Sequence, residues 1–378
     1  MTHYRLPVTL FALAVAVFPA AADTHVEKTD KVDISATVVA DGLSHPWGMD
    51  ILPDGALLVT EREGRLRIAR DGELSEPATG LPEIAAEGQG GLLDIALAPD
   101  FADSAEVYFT FSEPGPGGAG TALGRAVLED WDSPAPRLSG VETIFSMAKK
   151  TGTGHHFGSR IVFAGDGTVF VTTGDRGDSE RAQDLSDHAG AVLRVNRDGS
   201  IPEDNPYAGD EAAAPEIWSK GHRNLQGAAL DPQTGALWTV EHGARGGDEI
   251  NRPEAGKNYG WPVISYGRHY SGAEIGVGTE APGYEQPQYY WDPSIAPSGM
   301  AVYQGEMFPE WNGDLLVGAL KYRMLVHLDR DESGAITGEE RLLEGAFGRV
   351  RDVTVAPDGS IYLLTDEDPG AIVRVTRD

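Results

Sequence analysis

A turn followed by an alternating apolar strand recurs six times along this chain, and this repeat limits the possible folds most strongly. The copies are PDGALLVTE from Pro53, PDFADSAEVYFTFSE from Pro99, GDGTVFVTTGD from Gly165, DPQTGALWTVEHG from Asp231, WNGDLLVGALK from Trp311 and PDGSIYLLTDE from Pro357. Each strand alternates β-branched or aromatic residues with small or polar ones, and Gly, Pro, Asp or Asn flank it.

The spacing of these units indicates the architecture. Successive copies lie about 45 to 80 residues apart, which is close to the period of a four-stranded propeller blade with loop insertions. The sequence therefore predicts an all-β fold, a six-bladed β-propeller of four-stranded antiparallel blades. A β-sandwich with an incidental turn motif is the alternative, and six comparable units favour the propeller. The segment from Val32 to Val39 is expected to close the ring against the last blade, whose strand ends near Val375.

Residues 1–22 have the pattern of a secretory signal peptide. Arg5 provides the positive end, Leu6 to Phe18 form an apolar run too short to span a bilayer, and three alanines end at Ala22 before Asp23. We expect cleavage near Ala22, a periplasmic or secreted protein without a membrane span, and one catalytic propeller domain over residues 23–378.

The charge and the cysteine content exclude several classes of function. The chain has 59 acidic and 30 basic residues and no cysteine. Such an acidic protein is not expected to bind nucleic acid or an anionic membrane. Stability must come from burial and bound metal rather than from disulfides.

Polar loop segments between the strands carry the candidate chemistry. His155 and His156 end a glycine-rich loop, and Asp175 follows the next strand, so antiparallel pairing should bring Asp175 towards the histidines. A carboxylate on one imidazole nitrogen leaves the other free to act as a base. A structural histidine bonded to a backbone carbonyl is the alternative. In KGHRNLQG, Arg223 and Asn224 form a polar tip that suits a carbonyl oxygen, or a solvated surface.

Two further sets of residues suggest a cation site and an anion site. The segment EHGARGGDEIN offers glycine carbonyls with Asp248 and Glu249, a combination that suits Ca²⁺. Two late loops hold basic residues at equivalent strand ends, Lys321 after LLVGAL, and Arg349 and Arg351 in GRVRD. These three suggest a site for a polyanionic small molecule, with scattered solvated charges as the alternative.

At these loops the sequence resembles the soluble PQQ-dependent sugar dehydrogenases of the glucose/sorbosone dehydrogenase family, particularly the periplasmic aldose sugar dehydrogenases. The resemblance runs from about Leu43 to the C-terminus. It depends on GLSHPWGMDILPDG, EGQGGLLDIALAPDF, HHFGSRIVF with TTGDRGD, GHRNLQG, GDEIN with KNYGWP, and RVRD, which occur in the family's order.

The resemblance implies that a propeller holds pyrroloquinoline quinone (PQQ) and Ca²⁺ and oxidises the C1 hydroxyl of aldoses to aldonolactones, with hydride transfer to PQQ. It places the general base on His156, the orienting carboxylate on Asp175 and the residue that polarises the quinone on Arg223. The further cofactor contacts that it implies are Gln89, Asn224, Lys321, Arg349 and Arg351. It places one Ca²⁺ on the carbonyls of Gly243 and Ala244, and a second on Glu249 and the carbonyl of Tyr259. An external acceptor, a quinone or a small redox protein, would reoxidise the cofactor.

The chain departs from the family pattern at two positions. Phe157 stands where glutamine often follows the histidine, and Trp291, a candidate for stacking on the sugar, lies one place off the pattern. The chain also lacks long loop insertions, so broad acceptance of aldoses is expected. The competing functions are a Ca²⁺-dependent propeller lactonase and a non-enzymatic propeller that binds a protein or glycan.

Overall fold

The computed structural model describes residues 24–378, so the predicted signal peptide lies outside the described residues. The chain begins with β1 (Thr24–Lys28) and β2 (Asp33–Leu43). Blade 1 contains β3 (Pro46–Ile51), β4 (Leu57–Glu61), β5 (Arg65–Arg70) and β6 (Glu73–Leu74). Blade 2 contains β7 (Leu92–Leu97), β8 (Glu106–Gly115), β9 (Gly118–Glu129) and β10 (Arg137–Ser146). Blade 3 contains β11 (Ile161–Phe163), β12 (Thr168–Thr172), β13 (Ala191–Asn196) and β14 (Ile217–Lys220).

The second half of the chain continues in the same way. Blade 4 contains β15 (Leu225–Leu230), β16 (Leu237–Glu241), β17 (Asp248–Asn251) and β18 (Tyr289–Trp291). Blade 5 contains β19 (Pro297–Val302), β20 (Leu315–Ala319), β21 (Met324–Arg330) and β22 (Ile336–Leu342). Blade 6 contains β23 (Val350–Val355), β24 (Ile361–Thr365) and β25 (Gly370–Arg377). Helical structure over 24–378 comprises α1 (Phe101–Ser104) and two 3₁₀ segments, Ser179–Gln183 and Pro309–Trp311.

The predicted propeller and its closure are confirmed. The sheets follow the order of the strands in the chain, and each of the six repeated turn–strand units forms the second strand of one blade. β2 supplies the fourth strand of blade 6 by pairing antiparallel with β25, where Ala36 lies opposite Val375, and β1 adds an outer strand. The seam of the ring therefore lies within blade 6, where strands from both ends of the chain pair with each other.

The apolar core lies between the blades. The first strands of the blades contact one another in order around the ring, β3 with β7 and onward to β23 with β3. Six apolar clusters each fill the space between two neighbouring blades, as where Leu58 and Ile68 of blade 1 meet Ile95 and Phe109 of blade 2. Burial of each such large side chain contributes about 1.5–3 kcal/mol. In β4, β12, β16 and β20 every residue is buried, so both faces of these strands pack against neighbouring blades.

An arginine of blade 3 contacts four other blades at the centre of the ring. Arg160, which precedes β11 and is 5 % exposed, forms ion pairs with Asp94 (3.0 Å) and Asp352 (2.8 Å). Its Nε also donates to the carbonyl of Gln226 (2.7 Å), and its guanidinium stacks over the ring of Trp47 at 4.3 Å. Because these partners lie on the inner strands of four blades, Arg160 neutralises buried carboxylates that would otherwise repel one another.

Candidate active site at one end of the channel

A cavity of about 170 Å³ opens where the chain enters the inner strands. It is lined by the first residues of these strands or the residues just before them: Trp47, Leu93, Phe157, Gly158, Gln226, Ala296 and Arg351. Residues that follow the second strands of the blades complete its wall: Arg62, His242, Leu320 and Asp366. Since all blades run in the same sense, these two kinds of loop meet at one end of the ring. Segments far apart in the sequence therefore converge on one cavity.

The expected approach of Asp175 to the histidine pair is present. Strands β11 and β12 pair antiparallel, and Nδ1 of His156 lies 2.6 Å from Oδ1 of Asp175. The Nε2 atom of His156 makes no hydrogen bond within residues 24–378, so it is free to accept a proton. Burial lowers the pKa of His156 and the positive charge of Arg223 acts in the same direction, whereas the bond to Asp175 opposes them. The net result is a neutral imidazole at neutral pH.

The backbone around His156 is held in an uncommon conformation. His156 has φ 54°, in the left-handed region that few residues other than glycine adopt. Gly174 allows this approach, because a Cβ at that position would lie 2.3 Å from the carbonyl oxygen of His156. The side-chain oxygen of Gln89 accepts a hydrogen bond from the backbone N–H of His156 (2.8 Å). Strained backbone of this kind concentrates at functional sites.

Arg223 and Asn224 lie beside this pair and are buried. The backbone N–H of Arg223 donates to Glu241 (2.6 Å), and its guanidinium donates to the carbonyls of His242 (3.2 Å) and Gly243. Its Nε is buried and makes no hydrogen bond. Asn224 lines the cavity, and its Oδ1 accepts from the N–H of Gly158 (3.2 Å). Asn224 is thus fixed in the wall of the cavity, whereas Arg223 lines a small neighbouring pocket together with Gly243 and Glu249.

The three basic residues predicted to bind an anion, Lys321, Arg349 and Arg351, do not all line the same cavity. Arg349 and Arg351 line the cavity, whereas Lys321 lies in an adjoining groove that Ala244 also lines. Arg351 donates to Asp366 (2.8 Å), and its Nε is buried without a hydrogen bond. Burial alone would raise the pKa of Asp366, but the charge and hydrogen bond of Arg351 hold it well below its usual range. The cavity therefore carries an excess of positive charge in an acidic protein.

The segment after β16 contains two neighbouring carboxylates, Asp248 and Glu249, that lie in different surroundings. Asp248 is fully buried, and it accepts hydrogen bonds from Gly243 (2.9 Å), Ser294 (2.7 Å) and Ile295 (2.8 Å), so it organises the loop. Glu249 lies near Glu241, and burial together with that like charge raises the pKa of Glu249 to about 8.

A donor set for a cation surrounds Glu249. Asn251 bonds both Glu241 (3.1 Å) and Glu249 (3.3 Å), while its own side-chain oxygen is buried without a partner. Tyr259 lines the same small pocket as the two glutamates. Two neighbouring carboxylates beside an amide oxygen that lacks a donor fit a hard divalent cation.

Trp291, a candidate for stacking on the sugar that lies one place off the family pattern, is buried in the structure. The side chain is 4 % exposed, and its indole N–H donates to Glu339 (2.8 Å). Trp291 belongs to β18 and packs against Tyr289 within the core between blades 4 and 5. At the other departure from the pattern, Phe157 is buried, lines the cavity and lies under the guanidinium of Arg176 at 3.4 Å.

Sequence reasoning missed several residues of the site. Arg62, His242 and Asp366 line the cavity without having been singled out, and Trp261 donates to Asp175 (2.8 Å). The first three follow the second strands of their blades, as Asp175 and Lys321 do. Aligning the six repeats at the end of this strand would have found them. Trp261 belongs to the KNYGWP motif, but the motif does not reveal its contact with Asp175, because Trp261 reaches the site from a long loop of another blade.

Comparison with known proteins accords with this geometry. The profile of the glucose/sorbosone dehydrogenase family matches residues 43–374. Aldose sugar dehydrogenase YliI of Escherichia coli (strain K12) is 43 % identical, over 98 % of this chain and 97 % of its own length. The crystal structure of the soluble aldose sugar dehydrogenase from E. coli in its apo form superimposes with a TM-score of 0.88 at 43 % identity, covering 91 % of this chain and 100 % of that one. The PQQ-bound aldose sugar dehydrogenase from Streptomyces coelicolor gives a TM-score of 0.76 at 27 % identity, covering 95 % and 99 %.

The fold and these comparisons thus define a propeller oxidoreductase, with a candidate site at one end of the channel. The chain belongs to the glucose/sorbosone dehydrogenase family. The family resemblance drawn from the motifs and the prediction that the protein is an enzyme are both confirmed. None of the helices described between residues 24 and 378 has the length and apolar character needed to cross a bilayer.

Proposed function

We propose that this protein oxidises the C1 hydroxyl of aldose sugars to aldonolactones with PQQ as cofactor and His156 as general base. The observation that carries the proposal is the 2.6 Å contact between His156 Nδ1 and Asp175 Oδ1. Asp175 fixes the tautomer with the proton on Nδ1, so the lone pair of Nε2 can take the proton of the C1 hydroxyl. Bound PQQ supplies the acceptor for the hydride that leaves C1.

The residues around the cavity suit a polycarboxylated cofactor. Arg62, Arg349 and Arg351 place positive charge there although the whole chain has a net charge of −29. The buried, unpaired Nε atoms of Arg223 and Arg351 are donors that need an acceptor. Gln89 and Asn224 provide amide groups at the same end of the channel. Lys321, in the adjoining groove, is proposed to bind the cofactor from the side.

Calcium is proposed at the two sets of oxygen ligands after β16. The carbonyls of Gly243 and Ala244 would hold the ion next to the cofactor, and Glu249 with the carbonyl of Tyr259 would hold a second. The unpaired side-chain oxygen of Asn251 and the crowded glutamates support the second site. Glu249→Gln should weaken calcium binding to the apoprotein, as measured by calorimetry. Glu254→Gln, in the following loop, is the control.

The environment of the central carboxylates argues against the lactonase alternative. Such an enzyme needs open acidic ligands along the channel, whereas Asp94 and Asp352 are both paired with Arg160. The binding-module alternative leaves the neutral His156 and its bonded Asp175 without a role. Neither alternative explains the cationic cavity.

One assay tests the proposal. Purified protein with Ca²⁺ and PQQ is given hexoses, pentoses and disaccharides with an electron-acceptor dye, and reduction of the dye is expected for several aldoses. His156→Ala should bind PQQ yet lose turnover, whereas His269→Ala, in an exposed loop, should retain both. Absence of PQQ-dependent dye reduction with every sugar would refute the proposed activity. Turnover by His156→Ala would show that another group is the base.

The proposed location is the periplasm or the extracellular space, after removal of residues 1–22. N-terminal sequencing of the protein recovered from the producing cells should then begin at Asp23. The proposed final acceptor of electrons is external, a quinone or a small redox protein. Reoxidation of the reduced enzyme by a soluble quinone, followed by absorbance, tests this step. Reoxidation by dye alone, with no quinone reacting, would favour a redox protein.

A further inference from the structure

Both oxygens of the Asp175 carboxylate are held, each by a different part of the protein. Oδ1 bonds His156 Nδ1 (2.6 Å) and the N–H of Gly177 (2.8 Å). Oδ2 accepts a hydrogen bond from the indole N–H of Trp261 (2.8 Å). Because Asp175 is 1 % exposed, water does not replace this donor. The indole therefore sets the rotation of the carboxylate that orients the candidate base.

The loop that carries Trp261 is fastened to the neighbouring blade. Residues 252–288 connect β17 and β18 of blade 4, yet the N–H of Tyr259 donates to Lys220 (2.8 Å) and that of Trp261 donates to Gly221 (2.9 Å), both in blade 3. The side chain of Gln183 donates to the carbonyl of Trp261 (2.7 Å). The indole thus reaches Asp175 from a backbone fixed on both sides.

The same side chain contacts a second candidate catalytic group. The guanidinium carbon of Arg223 lies 5.3 Å from the centre of the Trp261 ring, within the range of a cation–π contact. Trp261 therefore touches Asp175 through its N–H and Arg223 through its face. It contacts the Asp175 oxygen that His156 does not bond.

We propose that Trp261 is a positioning residue for the dehydrogenation. It acts through Asp175, whose carboxylate it holds in the orientation that keeps Nε2 of His156 directed at the substrate, and it keeps Arg223 beside that pair. This inference rests on the proposed function. Loss of a hydrogen bond to a charged, buried acceptor of this kind is expected to lower kcat about tenfold to hundredfold.

The test uses Trp261→Phe, which keeps the aromatic face for Arg223 and removes the N–H. We expect kcat to fall about tenfold or more while the Kd for PQQ and the Tm change little. Trp291→Phe is the matched control. Its indole N–H also donates to a carboxylate, that of Glu339 (2.8 Å), and its side chain is buried in the core between blades 4 and 5, outside the lining of the cavity. The control should leave kcat unchanged.

A double-mutant cycle separates positioning from a general loss of structure. If Trp261 acts through Asp175, Trp261→Phe should reduce kcat much less in an Asp175→Asn background than in the wild type. Equal reductions in both backgrounds, or a fall in kcat that follows a fall in Tm, would overturn the proposal.

A second measurement uses the apoprotein and does not depend on turnover. The charged and titratable groups that act on His156 are Asp175, Arg223 and His155. Without the indole donor, Asp175 retains more negative charge and stabilises the imidazolium more strongly. The pH midpoint for modification of His156 by diethyl pyrocarbonate, followed by peptide mass spectrometry, should therefore move upward in Trp261→Phe. An unmoved midpoint would mean that the indole only fills space.

The outcomes distinguish this inference from the proposed function. Wild-type protein without PQQ-dependent turnover refutes the proposed function. Wild-type protein that turns over, together with a Trp261→Phe variant of equal kcat and equal pH midpoint, refutes only the role of Trp261.

Discussion

The ion cluster at the centre of the ring allows one stability prediction to be worked out from the contacts. Arg160→Met replaces the guanidinium by an apolar side chain of similar length. The variant loses ion pairs of 3.0 Å to Asp94 and 2.8 Å to Asp352, and it leaves both carboxylates buried without their ion-pair partner. Breaking a buried ion pair by removing one partner costs about 3–5 kcal/mol. We therefore expect the free energy of unfolding to fall by about this amount at pH 8.

The effect on the melting temperature follows from the length of the chain. A domain of this size has an entropy of unfolding of about 0.7 kcal/mol/K, so the expected loss corresponds to a fall in Tm of about 4 to 7 °C. Calorimetry and urea titration at several pH values measure it. The matched control is Arg137→Met, because Arg137 is half exposed and pairs with Glu129 at the surface. Arg137→Met should lower the free energy of unfolding by less than about 1 kcal/mol.

The pH dependence provides the second part of the test. Burial raises the pKa of Asp94 to about 7 and that of Asp352 in the same direction, while Arg160 opposes both shifts. A carboxyl group whose pKa is raised by folding makes the protein less stable as the pH rises from its unfolded value through its folded value. Without Arg160 the pKa values of Asp94 and Asp352 in the folded protein rise further. The loss of unfolding free energy in Arg160→Met, relative to wild type, should therefore grow between pH 6 and pH 9.

Three possible results test whether Arg160 acts as a counter-ion. A deficit that grows with pH, and that Asp94→Asn partly removes in the Arg160→Met background, supports the role of Arg160 as counter-ion. A fall in the free energy of unfolding of less than about 1 kcal/mol at pH 8 would contradict this role. A large fall that does not depend on pH would mean that packing, rather than charge, accounts for the effect.

Three further outcomes are expected. Asp175→Asn should lower kcat about a thousandfold or more with little change in the Kd for PQQ, because the imidazole tautomer is no longer fixed; measured kcat within tenfold of wild type would contradict this. The acid limb of kcat against pH should have a midpoint below 6.5, since burial lowers the pKa of His156 and the base must be neutral; a midpoint above 7 would be inconsistent with that environment. Gly221→Ala should lower both Tm and kcat, because Gly221 has φ 78° and its Cβ would lie 2.1 Å from Asn258, displacing the segment that carries Trp261; a variant that matches wild type in both measurements would show that this approach is not needed.

Local chemistry in the sequence was sufficient to predict the architecture. The turn residues and the alternation of each repeat determine one strand and its buried face, and six copies predict six blades. The closing strand was also predictable, because the first apolar segment has no blade of its own. The motif loops predicted the approach of Asp175 to His156, since one hairpin separates them in the chain. The roles proposed for these residues remain predictions until the assays are done.

The residues brought together across the ring were decided only by the tertiary structure. Trp261 and Asp175 are 86 residues apart, and Arg160 contacts Arg351 across 191 residues. The separation of Lys321 from the Arg349–Arg351 cavity and the burial of Trp291 likewise depend on how neighbouring blades pack. Sequence patterns report interactions within one blade, because these recur at short, regular spacing. Contacts between blades have no such spacing, since they depend on the closure of the whole ring.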